Sequence, residues 1–166
     1  MNAIFRRRSI RRYTDKQVSD EMINQILAAG MNAPSAGNEQ PWHFIIIKDK
    51  ETLKRLADFS PHSQMAKDAA LAILVCADLN LERHKGYWAQ DCSAATENML
   101  IEVAELNLGA VWLGVFPVQD RVEYIRQQFQ LPQNIVPFSV IPVGYPAQEM
   151  KMVNRYSQER VHQEKW

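Results

Sequence analysis

Apolar side chains along this chain fall into two kinds of pattern, and the way the patterns alternate predicts strands interleaved with helices. His43-Phe44-Ile45-Ile46-Ile47 is a continuous run of β-branched and aromatic residues, and Leu71-Ala72-Ile73-Leu74-Val75-Cys76 is a second such run. Both predict strands buried on both faces. Glu51 to Phe59, between them, reads as a helix. From Tyr87 to Leu106 the apolar positions are Trp88, Cys92, Ala95, Met99, Val103 and Leu106, spaced to draw one stripe along a helix of about 30 Å. Gly109 is placed to follow the end of that helix. Ala110 to Val115 predicts a third strand, Val118 to Phe129 a helix, and Phe138 to Val143 a fourth strand, in which Pro142 suggests an edge or a strand end.

Nearer the start, Asn2 to Arg8 can form a short helix. Ser19 followed by Asp20 and Glu21 has the form of an N-cap with an acidic first turn, opening a helix that places Met22, Ile23, Ile26 and Leu27 on one face. That helix should end near Gly30, because the stretch from Asn32 to Asn38 is dense in turn formers. After Gly144-Tyr145-Pro146 the tail from Gln148 to Trp166 is polar and lacks core periodicity. It nevertheless carries Val161, His162 and Trp166, which predicts that it packs on something. No internal repeat, low-complexity tract or linker divides the chain, and 166 residues suit one domain spanning 1–166.

Composition narrows the function. Nineteen Lys and Arg residues balance nineteen Asp and Glu, so no long-range field gathers nucleic acid or an anionic membrane, and any basic function must be local. The two cysteines, Cys76 and Cys92, form no Cys-x-x-Cys pair and suit a reducing compartment; Cys76, inside an apolar run, reads as buried packing. The N-terminal arginines are not followed by the apolar centre of a secretory signal, and Ala69 to Ala77 is too short to span a bilayer, so a cytoplasmic location is expected. The histidines, His43, His62, His84 and His162, show no metal-ligand spacing, and no metal site is expected.

Two segments offer chemistry. Five arginines occur in the first twelve residues, with Ser9 among them; planar guanidinium forks and a hydroxyl suit a phosphate dianion, and equally suit a solvated basic face. The segment Ala33-Pro34-Ser35-Ala36-Gly37-Asn38-Glu39-Gln40-Pro41-Trp42 combines small side chains, which let backbone approach a flat ligand, with the paired donors and acceptors of Asn38 and Gln40. It is also readable as an ordinary connection between helix and strand, with Trp42 in the core.

The sequence resembles the nitroreductase family. The resemblance is carried by Arg7-Arg8-Ser9-Ile10-Arg11-Arg12-Tyr13, by Ala33 to Trp42, by Leu108-Gly109-Ala110-Val111-Trp112-Leu113-Gly114, and by Gly144-Tyr145-Pro146 with Asn154-Arg155-Tyr156, in that order and nearly from end to end. It implies an α+β fold, a three-layer α/β/α sandwich with a mixed or antiparallel central sheet. It further implies an intertwined homodimer with two FMN sites built from both subunits, and a C-terminal arm over about 147–166 that wraps the partner. Carried over to matching positions, Arg7, Ser9 and Arg11, with Arg8 beside them, contact the phosphate and ribityl chain, and Arg155 reaches the phosphate from the tail. Pro34, Ser35 and Ala36, with Asn38 nearby, are lent to the ring by the partner. Leu113 and Gly114 form a turn whose backbone faces the ring. The long helix, with Ser93, Ala94, Ala95 and Thr96 on its middle turns, corresponds to the helix at the dimer interface.

The implied activity is oxidoreduction in which a flavin carries the redox chemistry, so no catalytic side chain is expected. NADH or NADPH delivers electrons and leaves before a nitroaromatic or quinone takes its place, a ping-pong order that fits the absence of a Gly-x-Gly-x-x-Gly nicotinamide motif. Other chemistries of the same superfamily, reductive dehalogenation or flavin cleavage, and a non-catalytic flavin carrier would leave similar motifs. Two departures stand out. The chain is near the short end of the family, which implies a more open pocket, and Val153 stands where some relatives have a lysine, with Lys151 as the nearby replacement. Segment 79–87, containing Arg83, His84 and Lys85, reads either as a wall shaping access for substrate or as a solvated turn.

Overall fold

A computed structural model describes residues 3–149 and 151–166. Its centre is an antiparallel sheet in the order β1-β2-β5-β3, where β1 is Trp42–Ile47, β2 Leu71–Asp78, β3 Gly109–Ala110 and β5 Ile135–Gly144; the short β4, Leu113–Gly114, also pairs with β5. Side chains of a strand alternate between faces, and β2 shows what that alternation builds. Leu71, Ile73, Val75 and Ala77 join the cluster beneath α2 (Asp20–Met31) and α4 (Trp88–Glu105), while Ala72, Leu74 and Cys76 join the cluster beneath α3 (Lys50–Leu56) and α5 (Gln119–Phe129). Two apolar cores on opposite faces of one sheet make the α/β/α sandwich.

The helices begin where local chemistry starts them. Ser19 Oγ accepts the Met22 amide at 3.3 Å to cap α2, and Asp49 caps α3 by accepting the Thr52 amide at 2.8 Å. The helix expected over Asn2 to Arg8 is observed as α1, Ala3–Arg6; Asn2 lies outside the described residues. The helix expected from Glu51 to Phe59 is the shorter α3. On α4 the predicted stripe is buried at Cys92, Ala95, Met99 and Val103. Buried polar contacts cross this layer: the hydroxyls of Thr96 and Ser139 meet at 3.1 Å, and the Cys92 thiol donates to the Cys76 carbonyl at 3.9 Å.

Four expectations are corrected. The run at 43–47 is not buried on both faces, because β1 is the sheet edge and leaves His43 and Ile46 exposed. Pro142 marks neither edge nor end: it faces Ala72 of β2 inside the central strand β5. It is tolerated because the other side of β5 is interrupted between the Ala110–Val143 and Leu113–Val140 pairs, and the Pro142 carbonyl there accepts the Tyr13 hydroxyl at 3.3 Å. The single strand expected over 110–115 is therefore two short pieces, β3 and β4. Finally, Gly109 does not terminate α4. Asn107 takes the left-handed conformation (φ 57°) there, and Gly109 belongs to β3.

What Gly109 supplies is room. The extended segment that follows α1 lies beside β3, with the Ile10 amide donating to the Ala110 carbonyl at 2.8 Å and Ile10 wholly buried. A Cβ on Gly109 would stand 2.7 Å from Ile10 Cγ2. Replacement by alanine is expected to destabilise the protein by about 1–3 kcal/mol through overpacking, read as a lower urea midpoint than wild type.

Candidate functional site: a cationic cavity between the chain ends

The N-terminal segment and the tail meet over a cavity of ≈ 430 Å³ lined by Arg7, Arg8, Ser9, Gln148, Glu149, Lys151, Val153 and Arg155. A second hollow shares Arg7, Arg8, Val153 and Arg155 and opens towards Phe5, Glu97 and Tyr156. Four of the first set are cations and one is an acid, in a chain whose charges otherwise cancel. The local excess predicted from the neutral composition is thus concentrated in one place.

The arginines are not equivalent. Arg8 spends its fork on backbone, with Nε on the Lys151 carbonyl at 2.6 Å, one terminal nitrogen on the Arg7 carbonyl at 2.6 Å, and the other on the carbonyls of Phe5 at 3.2 Å and Val153 at 3.3 Å. It ties the tail to the N-terminal segment and keeps few donors for a ligand. Arg7 is steered by Glu97 of α4, Nε to Oε1 at 3.3 Å. Lys151 lies 3.5 Å from Glu149. Arg155 makes no ion pair or hydrogen bond with any other described residue and lines the cavity, so its five donors are available. Val153, which stands where the family resemblance implies a lysine, lines the same cavity as Lys151.

Arg11, expected in the same cradle, is elsewhere. It lines a separate depression of ≈ 450 Å³ together with the cations Arg12, Lys50 and Lys67 and the acids Asp15 and Asp68. The backbone explains the separation: Gln148 Oε1 accepts the amides of both Arg11 and Arg12 at 3.1 Å, placing the tail between the two basic regions.

The loop predicted to meet a flat ligand forms a third region. Pro34, Ser35 and Ala36 line a shallow surface with Tyr87, Gln90, Asp91 and Ala94. The paired groups of Asn38 and Gln40 are joined to each other, Gln40 Nε2 to Asn38 Oδ1 at 3.0 Å, and Ser35 Oγ accepts the Gln40 amide at 3.0 Å. Gly37, Asn38 and Gln40 all have positive φ, which gives the loop its tight form. Leu113 and Gly114 lie in β4, Leu113 buried and the Gly114 carbonyl accepting Arg121 Nη1 at 2.8 Å. Within one chain, then, the expected site residues occupy separate places: Arg7, Arg8, Ser9 and Arg155 are together, whereas Arg11, the 34–38 loop and Leu113–Gly114 are each apart from them.

Sequence reading missed the residues that hold these pieces. Gln148 carried no signal beyond its position in the tail. Asp91 carried one: it falls four residues before Ala95, on the buried side of α4, where an acid requires a partner. Asp91 Oδ1 accepts the Ala36 amide at 3.0 Å, and Glu39 Oε2 accepts the amides of Arg83 at 2.7 Å and His84 at 3.0 Å. Segment 79–87 is therefore pinned against the 34–40 loop.

Burial pushes the Asp91 carboxyl up, and the neighbouring Glu39 carboxylate adds to the rise against the Ala36 amide. For Glu39, burial also acts upward but is outweighed by the His84 and Arg83 amides and by Asp91, so its carboxyl is held below the usual range. Burial raises the thiol of Cys76 to about 12 and that of Cys92 as well, which leaves both protonated and unreactive. Among the described residues no group of three or more His, Cys, Asp or Glu side chains is placed to hold a metal, and no helix is long and apolar enough to cross a membrane.

An antiparallel α+β sandwich whose two chain ends close on a cluster of cations has the chemistry of an anion-binding protein. The profile of the nitroreductase family matches residues 4–86 and 59–145. A protein of Methanothermobacter thermautotrophicus, provisionally named an NADH dehydrogenase/NAD(P)H nitroreductase, is 48% identical over 166 residues, covering 100% of this chain and 87% of its own. The crystal structure of a protein provisionally named an NADH oxidase from Clostridium acetobutylicum superimposes with a TM-score of 0.97 at 47% identity, covering 99% of each chain. An FMN-dependent nitroreductase of Clostridium difficile gives 0.93 at 30% identity, again covering 99% of each. The chain belongs to the nitroreductase family.

The Gln148 contact predicts how the tail is held. Gln148→Ala leaves two amides without their acceptor, a loss of about 1 kcal/mol per bond less what water restores. Faster proteolytic cleavage of the tail than in wild type, with an unchanged core melting temperature, is the expected result.

Proposed function

We propose that this protein is an FMN-dependent oxidoreductase that takes electrons from NADH or NADPH and reduces small electrophiles such as nitroaromatics or quinones, working as a homodimer. The observation that carries the reading is the cavity between the chain ends: a terminal phosphate needs hydroxyl and guanidinium donors, and Ser9, Arg7 and Arg155 offer them around a space of ≈ 430 Å³. Lys151 adds charge on the wall where Val153 cannot, and Arg8 acts by holding the tail in place. FMN, when bound, supplies the redox chemistry; the residues of this chain bind and orient it.

Two features favour a site shared between subunits. The first is the separation of Pro34, Ser35, Ala36 and Asn38 from the cavity within one chain, which the same loop of a partner would remedy. The second is the tail, whose Tyr156 is 70% exposed and whose Trp166 is fully so. Large aromatic side chains held in water imply a covering surface, and a second copy provides one of the right kind, with the tail as its arm. The buried free cysteines suit a cytoplasmic location.

An absorption spectrum of the purified protein is expected to show bound flavin that bleaches on anaerobic addition of NADH or NADPH and recovers with a nitroaromatic or a quinone. A halogenated phenol in the same assay separates dehalogenation, and failure to bleach separates a flavin carrier. A colourless monomer that ignores added FMN would overturn the reading.

Replacing Arg155 or Arg7 with alanine removes a charged partner of the phosphate. Because Arg155 is exposed and screened, the expected weakening is about tenfold rather than the full value of a buried charged bond. It is measured by quenching of FMN fluorescence at low salt, with Lys54→Ala, on the far face, as the control.

A further inference from the structure

Asp91 and Glu39 are acids from distant parts of the chain, one on the first turn of α4 and one at the end of the 34–39 loop, and both are buried: 4% and 6% of their surfaces remain exposed. Each uses one oxygen on backbone. Asp91 Oδ1 takes the Ala36 amide, and Glu39 Oε2 takes those of Arg83 and His84. The remaining two oxygens, Asp91 Oδ2 and Glu39 Oε1, are shut off from solvent with no hydrogen-bond partner, and the two acids lie close enough for each to act on the other's protonation. Neither acid forms an ion pair with any described residue. Two carboxylates cannot both stay ionised in such a site, and two carboxylic acids would waste the amides; one proton between them satisfies both.

We infer that Glu39 and Asp91 share a single proton and act as positioning residues, a clasp that fastens the Pro34–Ala36 loop to α4 and segment 79–87 to the loop. The division of labour follows from the contacts. Glu39 receives two amides, which favour its charged form, so the proton resides on Asp91 and its hydroxyl donates to Glu39 Oε1. Other groups facing the pair are few. The His84 imidazole favours the charged form of either acid, and the Cys92 thiol, held protonated by burial, contributes no charge. Gly37 leaves the room the clasp needs: a Cβ there would meet His84 Nε2 at 2.3 Å. The clasp gives segment 79–87 a definite role, since the loop it holds is the one the proposed shared site borrows from the partner. That last consequence rests on the function proposed above; the clasp itself does not require it.

Linkage provides the test. Asp91 is raised on folding, so its contribution to stability is complete below its ordinary value of 3.8 and is lost as pH climbs to its folded value. Within that interval the native state holds a proton that the unfolded chain has released, and the folding constant falls by about tenfold per pH unit. Glu39 acts oppositely and only below its ordinary value of 4.5, so the decline is read above it.

Urea unfolding of full-length wild type and Asp91→Asn from pH 4.5 upward is expected to show a wild-type to variant ratio of folding constants that falls with pH and then levels, because asparagine donates to Glu39 without titrating. Glu39→Gln, which removes the charge keeping Asp91 protonated, should move the decline to lower pH and serves if Asp91→Asn does not fold. The slope should persist in a His84→Gln background. Hydrogen exchange of peptides covering 34–40 and 79–87 should speed up together in wild type relative to Asp91→Asn as pH rises. Parallel pH profiles in wild type and both variants, loss of the slope with His84, or exchange that changes in neither segment would overturn the clasp. All of these are read without FMN, so failure to bind flavin would sink the proposed function and leave this result standing.

Discussion

Positive charge gathered at one point is the constraint around which this molecule is arranged. Arg7, Arg8, Lys151 and Arg155 come from segments more than a hundred residues apart, and like charges brought together repel unless something else holds the backbone that bears them. Arg8 provides that hold by turning its donors onto four carbonyls, two of them in the tail, and Gln148 adds a second tie through the amides of Arg11 and Arg12. The attachment is made of hydrogen bonds to neutral backbone, so Arg8 and Arg155 have no acidic partner among the described residues, while Arg7 and Lys151 are offset by Glu97 and Glu149. An anionic ligand would complete what the chain leaves unpaired.

The sandwich serves this arrangement by fixing where the ends lie. β5 occupies the interior of the sheet, and its last residues run directly into the tail, while the segment after α1 is laid along β3, the neighbour of β5. Both ends therefore emerge at the same margin. The close packing of Ile10 on Gly109 and the half-buried Tyr13, whose hydroxyl reaches the carbonyls of Ile10 and Pro142, make that margin rigid. The loop that follows α2 is held from the other direction, through Asp91 and Glu39, by the first turn of α4. Rigid placement matters in a family whose cofactor performs the chemistry, because what remains for the protein is orientation and electrostatics.

The elements themselves were largely legible from the sequence. Ser19 announced α2, the stripe from Trp88 to Val103 announced α4, and the apolar run of β2 announced the strand buried on both faces, since each pattern reflects contacts that depend only on periodicity. The run over 43–47 was misread because an apolar strand looks the same at an edge as at a centre, and the difference lies in which strands lie beside it. Pro142 was misread for the complementary reason. Its missing amide is harmless in the middle of a sheet when the neighbouring strand is broken opposite it, and that break belongs to residues 111–112 rather than to Pro142.

The composition of the site shows the same division. Charge balance, the arginine cluster and the order of motifs determined the class of protein, because these are properties of residue identity and spacing along the chain. The tertiary structure alone decided that Arg7, Ser9 and Arg155 line one cavity, that Arg8 is occupied by backbone, that Arg11 lines a different depression, and that Asp91 and Glu39 are buried where they fasten the loop to its neighbours. Those outcomes depend on which way an extended segment turns its side chains and on contacts between residues 52 to 148 positions apart, distances over which local propensity and periodicity carry no information.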